Sequence, residues 1–437
     1  MTDANSSTHR DVQWPKDTFG TAQPAWSSEP DLSLLERIAR QHLPESEDIY
    51  AISLFAQGGF NKIYAVDTPG KGKTYLIRVA LPVEPRLKTL SEVATIEYVR
   101  AHACAAVPRI LAYEADAEAS GLGYEWMLLE KIDGDVLEAR WRDMEWDAKV
   151  ELVKSVAGVL GKFYDRPLSG IGNIYPDAPD PGRIVSMQFF WDEHYEQDVP
   201  RGPFSSSHDW LRSCLQFVLN DTAAILARPV VEDDSDDEGE REEALETRSL
   251  AERLVQLLPR IFPPSSPDDE PERTIIHHDD ISFHNLLVSP TGELTGIIDW
   301  ECVSAFPLWR ACTFPSFLES RARVECPDVE KYGKDEDDES RPNELYYEHL
   351  REWECTRLRG VFLDELESVQ PQWIRMHREK ASALKNDFYW AMRQCDEEFS
   401  RRKIGEWLDM VEAMSDEDLE KGVLGEGYVS LDESFVN

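Results

Sequence analysis

Between Thr274 and Glu301 the chain reads TIIHHDDISFHNLLVSPTGELTGIIDWE, and three of its oxygen-bearing side chains are spaced for phosphate chemistry. Leu286–Val288 and Leu294–Ile298 are apolar and rich in β-formers, and only Ser289-Pro290-Thr291-Gly292-Glu293 separates them. Pro and Gly in so short a connection predict a hairpin. Asn285 stands just before its first strand and Asp299 just after its second. The open ends of an antiparallel hairpin lie together, so the amide oxygen and the carboxylate become neighbours. Both are hard oxygen donors, suited to a Mg²⁺ that carries nucleotide phosphates. Asp280, five residues before Asn285, faces the same site from the preceding loop. There it can accept the proton of an attacking hydroxyl.

An ordinary polar loop explains the run His277-His278-Asp279-Asp280, but not the loop, the hairpin and the second aspartate together. Histidines 277, 278 and 284 with Asp279 leave a zinc site as a further alternative. No second ligand cluster with recognisable spacing accompanies them.

The elements that must position these residues lie upstream. Strand-like texture runs through Tyr50–Phe55, Ile63–Val66, Thr74–Val79, Arg109–Tyr113 and Glu125–Leu129. Lys88–Cys104, between the third and fourth, carries Leu90, Val93, Ile96 and Val99 at helical period. Asp31–Leu43, Trp146–Tyr164 and Leu250–Ile261 are further helices, and Glu344–Met414 is dominated by helix formers. In Ala56-Gln57-Gly58-Gly59-Phe60-Asn61-Lys62, the first connection, the glycines let backbone N–H groups approach phosphate oxygens. Gly58, Gly59, Phe60 and Asn61 are therefore candidate nucleotide contacts. Arg78 is the single basic residue of an apolar third strand and is assigned to the phosphates.

With His278-x-Asp280-x-x-x-x-Asn285 and Ile298-Asp299-Trp300-Glu301, this arrangement resembles the aminoglycoside phosphotransferase family of kinase-like small-molecule kinases. The resemblance runs from about Ala51 to Trp309. Arg201-Gly202-Pro203-Phe204-Ser205-Ser206 and Asp299-Trp300-Glu301 are similar to the fungal branch of that family. The resemblance implies an α+β, protein-kinase-like two-lobed fold: a small N-lobe with a five-stranded antiparallel sheet and one helix, then a larger, mainly helical C-lobe. It implies ATP and Mg²⁺ as cofactors, Asp280 as catalytic base, His278 as a loop-ordering residue, and Asn285 and Asp299 as metal ligands. It also implies a helix carboxylate beside Arg78, for which Glu92, in the first turns of the helix, is preferred over Glu97. The stretch around Glu130 and Ile132 becomes the hinge, whose backbone holds the adenine edge. Two positions depart from the pattern: Arg78 replaces the usual Lys, and Asp279 stands where a small residue is common. No Ala-Pro-Glu element follows Asp299, which argues against a protein kinase.

The expected organisation is a flexible leader (1–30), an N-lobe with its preceding helix (31–134), a helical C-lobe (135–414) holding the catalytic loop 276–301, and an acidic tail (415–437). The formal charge is −39. Segments 232–246, 328–339 and the chain from Leu408 carry −9, −5 and −8 of it. The first two are expected to be solvated insertions and the third a solvated tail. Such acidity disfavours nucleic acid and anionic membranes, while leaving a basic protein partner open through the acidic segments. Seven dispersed cysteines, and the absence of an apolar leader, lead to the expectation of a reduced cytoplasmic protein. The expected acceptor is a small-molecule hydroxyl. A nucleotide-binding or empty scaffold that binds a protein partner is the rival reading, favoured by Arg78 and the acidic runs. Antibiotic resistance is a third, and it would need acidic side chains lining the C-lobe pocket.

Overall fold

The computed structural model describes residues 12–16, 21–43, 51–68, 74–103, 107–230, 235–266, 268–335, 338, 340–422, 428 and 430–431. After helix α1 (Leu32–His42) come strands β1 (Ala51–Gln57), β2 (Asn61–Asp67) and β3 (Thr74–Ala80). Helix α2 (Leu87–His102) follows, then β4 (Ile110–Glu114) and β5 (Glu125–Glu130). The five strands form one antiparallel sheet in the order β1-β2-β3-β5-β4.

Alternation along β3 sends successive side chains to opposite faces. Tyr75, Ile77 and Val79 pack with Leu35 and Ile38 of α1. Arg78 pairs in register with Met127, which packs with Val93 of α2. The strand thus aims Arg78 at the side where α2 and the cleft lie. Leaving β5, the chain turns at Gly134, whose φ of +141° favours glycine. A Cβ there would meet Thr295 Oγ1 at 2.3 Å, so glycine lets the link between the lobes press on the catalytic hairpin.

The C-lobe opens with β6 (Asp135–Val136), the single turn α3 (Leu137–Arg140), α4 (Trp146–Tyr164) and β7 (Leu168–Ser169). Further on come the turn α5 (Met187–Phe190), α6 (Ser207–Ala227) and α7 (Ser235–Ile261). Strands β8 (Arg273–His277), β9 (Leu286–Val288), β10 (Leu294–Ile297) and β11 (Ser304–Pro307) precede the turn α8 (Leu308–Ala311). Helices α9 (Glu344–Val369), α10 (Pro371–His377), α11 (Lys380–Gln394), α12 (Glu398–Glu412) and α13 (Asp416–Lys421) complete it. Strand β8 pairs with β11, and β9 with β10 and β6. Both ends of the catalytic segment are therefore fixed by short sheets on a helical core that includes Leu152, Val156, Leu358 and Phe362.

Three stretches differ from their expected character. The acidic run 232–246 is, from Ser235 on, the opening of α7, and its glutamates from 238 to 246 are exposed. Acidic side chains suit a helix N-terminus, and from Leu250 the same helix buries Leu254, Leu257 and Leu258. Residues 231–234 lie outside the described residues. The leader, over 12–16 and 21–30, packs on both lobes: Trp14 lies 5.2 Å from Trp191 of the C-lobe and Trp26 5.1 Å from Tyr124 of the N-lobe, ring centre to ring centre. Buried Lys62 meets Glu29 at 2.5 Å. In the tail, Leu431 is buried, and its N–H donates to Asp387 Oδ1 at 2.9 Å. The run 328–339 is loop-like over its described residues, with one 3₁₀ turn at Val329–Lys331. Cys104 lies outside the described residues, and the other six cysteines are free thiols.

Candidate active site

Asp280 lies three residues beyond the end of β8, exposed on the catalytic loop. One oxygen, Oδ2, accepts the Asn285 side-chain amide at 2.7 Å, and the same amide donates to the Asp280 carbonyl at 2.9 Å. The loop is braced by buried His278. Its Nδ1 accepts the Asp280 N–H at 3.2 Å, so Nε2 carries the proton and donates to the Ile298 carbonyl at 3.1 Å. Burial holds His278 below its ordinary range, which keeps the ring neutral and this tautomer in place. His278 thereby ties the loop of Asp280 to the segment just before Asp299.

Asp279 is turned elsewhere. Its carboxylate sits 2.5 Å from Arg310 and 2.9 Å from His277 Nε2. Burial alone would raise it, but Arg310 and His277 together outweigh burial and hold it well below the usual carboxylate range. Among the described residues no three His, Cys, Asp or Glu side chains converge on one metal position.

Asp299 has a left-handed backbone, φ +63°, and a side chain 43% exposed. Desolvation in the cleft, and then the neighbouring Glu301, push its carboxyl up. Asn285 has committed its side-chain nitrogen to Asp280, and its side-chain oxygen Oδ1 makes no hydrogen bond among the described residues. One carboxylate and one uncommitted amide oxygen, beside a second carboxylate, fit a Mg²⁺ that keeps waters and phosphate oxygens as its remaining ligands.

Across the cleft, Arg78 contacts Glu92 and Glu301 and lies 3.5 Å from Asp299. Glu97, the other candidate partner, lines an open groove of about 720 Å³ between α2, β4 and residues 174–179, which shares no residue with the catalytic loop. Sequence reasoning missed two charges here. Lys88, in the first turn of α2, is 2% exposed and lies 2.5 Å from Glu301, the residue that ends the Asp299 motif. A lysine at the start of the helix that also carries Glu92 was the available signal.

The first connection is Gly58-Gly59-Phe60. No atom lies within 4 Å of a Cβ added at Gly58 or Gly59, but the Gly58 N–H is spent on the Asn61 carbonyl at 2.9 Å, whereas the Gly59 N–H makes no backbone hydrogen bond among the described residues. Phe60 is buried, its ring 5.5 Å from Phe190 and 5.8 Å from Trp191. Asn61 is also buried, and its amide donates to Glu301 at 2.9 Å. Those two side chains are thus committed to protein partners rather than turned outward. In the hinge, the Glu130 N–H is spent on the Arg109 carbonyl at 2.9 Å, whereas the Ile132 N–H makes no backbone hydrogen bond among the described residues. Ile132 therefore offers the free donor.

Beside Asp279 is a cavity of about 310 Å³, lined among others by Arg310, Asn386, Tyr389, Trp390 and Arg393. Trp309, Trp373 and Trp407 are buried in the core, and Trp353 lies tilted against Trp146 at 6.2 Å between ring centres, so of these C-terminal tryptophans Trp390 alone lines this cavity.

Comparison with known proteins adds a family. Residues 51–309 match the profile described as phosphotransferase enzyme family (APH). A subtelomeric hrmA-associated cluster protein of Aspergillus fumigatus is 24% identical over 311 residues, 61% of this chain and 60% of that protein. The chain thus spans about three-fifths of the length of that relative. A mitochondrial protein of Debaryomyces hansenii, altered inheritance of mitochondria protein 9, is 30% identical over 128 residues, 28% of this chain and 20% of that one. Among solved structures, spectinomycin phosphotransferase APH(9)-Ia in complex with ADP and spectinomycin is 11% identical with a TM-score of 0.42, over 89% of this chain and 98% of that one. Ethanolamine kinase of Plasmodium vivax is 15% identical with a TM-score of 0.36, over 89% and 90%.

Proposed function

The chain belongs to the phosphotransferase enzyme family, and from that premise we propose that it transfers the terminal phosphoryl group of ATP to a hydroxyl of a small molecule. The observation that carries this reading is the grouping of Asp280, hydrogen-bonded to Asn285, on a loop that His278 ties to the segment of Asp299, opposite Arg78 and Glu92. In it, Asp280 orients the acceptor hydroxyl and takes its proton through the oxygen that Asn285 leaves free. His278 keeps the loop in the shape that presents that oxygen. Arg78 draws the nucleotide phosphates toward the cleft, with Glu92 holding its guanidinium. The glycine connection closes over the phosphates with backbone N–H groups, and the Ile132 N–H meets the base. Asn285 and Asp299 would hold Mg²⁺, which when bound neutralises phosphate charge. The remaining work is positioning, the main resource of this chemistry.

The cavity beside Asp279 is the place for the acceptor, one residue from the base. Its mixed lining, with Arg310 and Arg393 among it, does not favour a polycationic aminoglycoside. The rival reading, a nucleotide-binding scaffold, is favoured by Arg78 already being held by two carboxylates. An acceptor screen coupled to ADP release separates the two. Turnover that depends on Asp280 supports the kinase, and Mg·ATP binding without turnover on any hydroxyl acceptor supports the scaffold.

A further inference from the structure

Phosphoryl transfer as outlined uses neither Lys88 nor Glu301, yet the two form a close, buried charge contact beside Arg78. Lys88 Nζ lies 2.5 Å from Glu301 Oε2, 3.3 Å from Asn61 Oδ1 and 5.9 Å from the centre of the Phe60 ring. The same Glu301 oxygen accepts from the Arg78 guanidinium and, at 2.9 Å, from the Asn61 amide. One carboxylate oxygen thus gathers a guanidinium, an ammonium and an amide, the donor set that a phosphate oxygen takes. All of this sits where the glycine connection ends, at Asn61, and one side chain removed from Asp299.

The burial makes the arrangement informative. Side-chain exposure is 2% for Lys88, 7% for Arg78 and 13% for Glu301. A lysine buried with no anion is strongly disfavoured, so a site that holds two buried cations needs a resident counter-charge. Glu92 serves Arg78 from the other side, and Glu301 is the carboxylate that contacts Lys88. The backbone that carries Glu301 is anchored beside it. Trp300 is 1% exposed, and its indole N–H donates to the Ile297 carbonyl at 2.8 Å. The Glu301 side chain can therefore swing away while Asp299 keeps its place.

We propose that Lys88 is a second phosphate-binding cation beside Arg78, and that Glu301 is an internal stand-in for a phosphate oxygen, displaced when nucleotide phosphates arrive. The proposal rests on the nucleotide-binding reading and adds a competition to it. A tethered carboxylate must be outcompeted, so a ligand with several linked phosphate charges gains entry and a weak anion does not.

Calorimetry on the full chain tests this, with inorganic pyrophosphate in EDTA and with Mg·ATP, for wild type, Lys88→Met, Lys88→Arg and Glu301→Gln. Glu301→Gln keeps the shape and removes the competing charge, so it should bind metal-free pyrophosphate about tenfold more tightly than wild type. Lys88→Met should bind both ligands about tenfold more weakly, and Lys88→Arg should restore most of the loss. Pyrophosphate binding to Glu301→Gln that is no tighter than to wild type overturns the competition. Wild-type binding of Mg·ATP that Lys88→Met leaves unchanged overturns the second cation alone. Wild type that binds no Mg·ATP removes the nucleotide reading and this proposal with it. If melting curves show that Lys88→Met does not fold, Glu301→Gln decides.

Discussion

Asp280 has one oxygen engaged by the Asn285 amide and another without a hydrogen bond among the described residues, and the proposed base function belongs to the second. Asp280→Asn keeps the size of the side chain and removes its basicity. Turnover should fall by roughly 10²- to 10⁴-fold while Mg·ATP affinity stays within about twofold, measured by single-turnover kinetics and calorimetry. Equal loss of binding and turnover would mean that the loop, rather than the proton acceptor, had been damaged. At this scale the sequence was informative where residues of one site lie close along the chain. Asp280, Asn285 and Asp299 fall within twenty residues, and a hairpin explains their meeting. Lys88 and Glu301 were not legible, because 213 residues separate them and their pairing is created by the packing of α2 against the C-lobe. Arg78 was legible as a lone charge on an apolar strand, but its third partner, Glu301, was not.

Helix α2 brings Lys88 and Glu92 to the site together, so how it begins matters. Its N-cap residue, Arg86, has φ +66° and donates its N–H to buried Glu125 at 2.6 Å. Thr89, in the first turn, also hydrogen-bonds the Glu125 side chain. Burial raises the Glu125 carboxyl to about 6, more than these hydrogen bonds lower it. Between the unfolded value near 4.5 and about 6, the folded state therefore holds more protons than the unfolded one. Stability from this group is greatest below that window and declines as pH rises through it, by ~2 kcal/mol in all. Glu125→Gln should flatten this part of the stability–pH curve, measured by urea unfolding at several pH values. An unaltered slope in the mutant would assign the dependence to other groups. The hinge gives a second prediction at this scale. Gly134→Ala places a Cβ 2.3 Å from Thr295 Oγ1 at a φ of +141°, and should cost at least ~2 kcal/mol in chemical denaturation. Periodicity located α2, α4 and the hairpin well, since each has an apolar stripe or a turn signal. It gave no sign that the acidic run opens α7: the run's glutamates from 238 to 246 are exposed, as its composition implies, but the same residues also suit a helix N-terminus.

The whole molecule depends on a segment that composition suggested was loose. Glu29 partners Lys62, whose side chain is 2% exposed and lies 4.7 Å from the centre of the Trp26 ring. Deleting residues 1–30 removes both partners and the packing of Trp14 and Trp26, so stability should fall by ~3 kcal/mol or more. Differential scanning calorimetry should show a melting temperature several degrees lower, and an unchanged one would make the leader dispensable. Polarity and three prolines gave no hint of docking, because two tryptophans and one glutamate supply the contacts. At this scale the two-lobed α+β architecture was legible from the order of strands, helix and hairpin. The docking of leader and tail was not, since it depends on surfaces formed only after the lobes fold.

The central claim is a Mg²⁺-dependent nucleotide site at Asn285 and Asp299, and calorimetry of Mg·ATP binding to wild type and Asp299→Ala tests it most directly. The account predicts wild-type binding that requires Mg²⁺, and a loss of at least roughly tenfold in a mutant that folds normally. Binding of equal strength and equal metal dependence in the two proteins would contradict it.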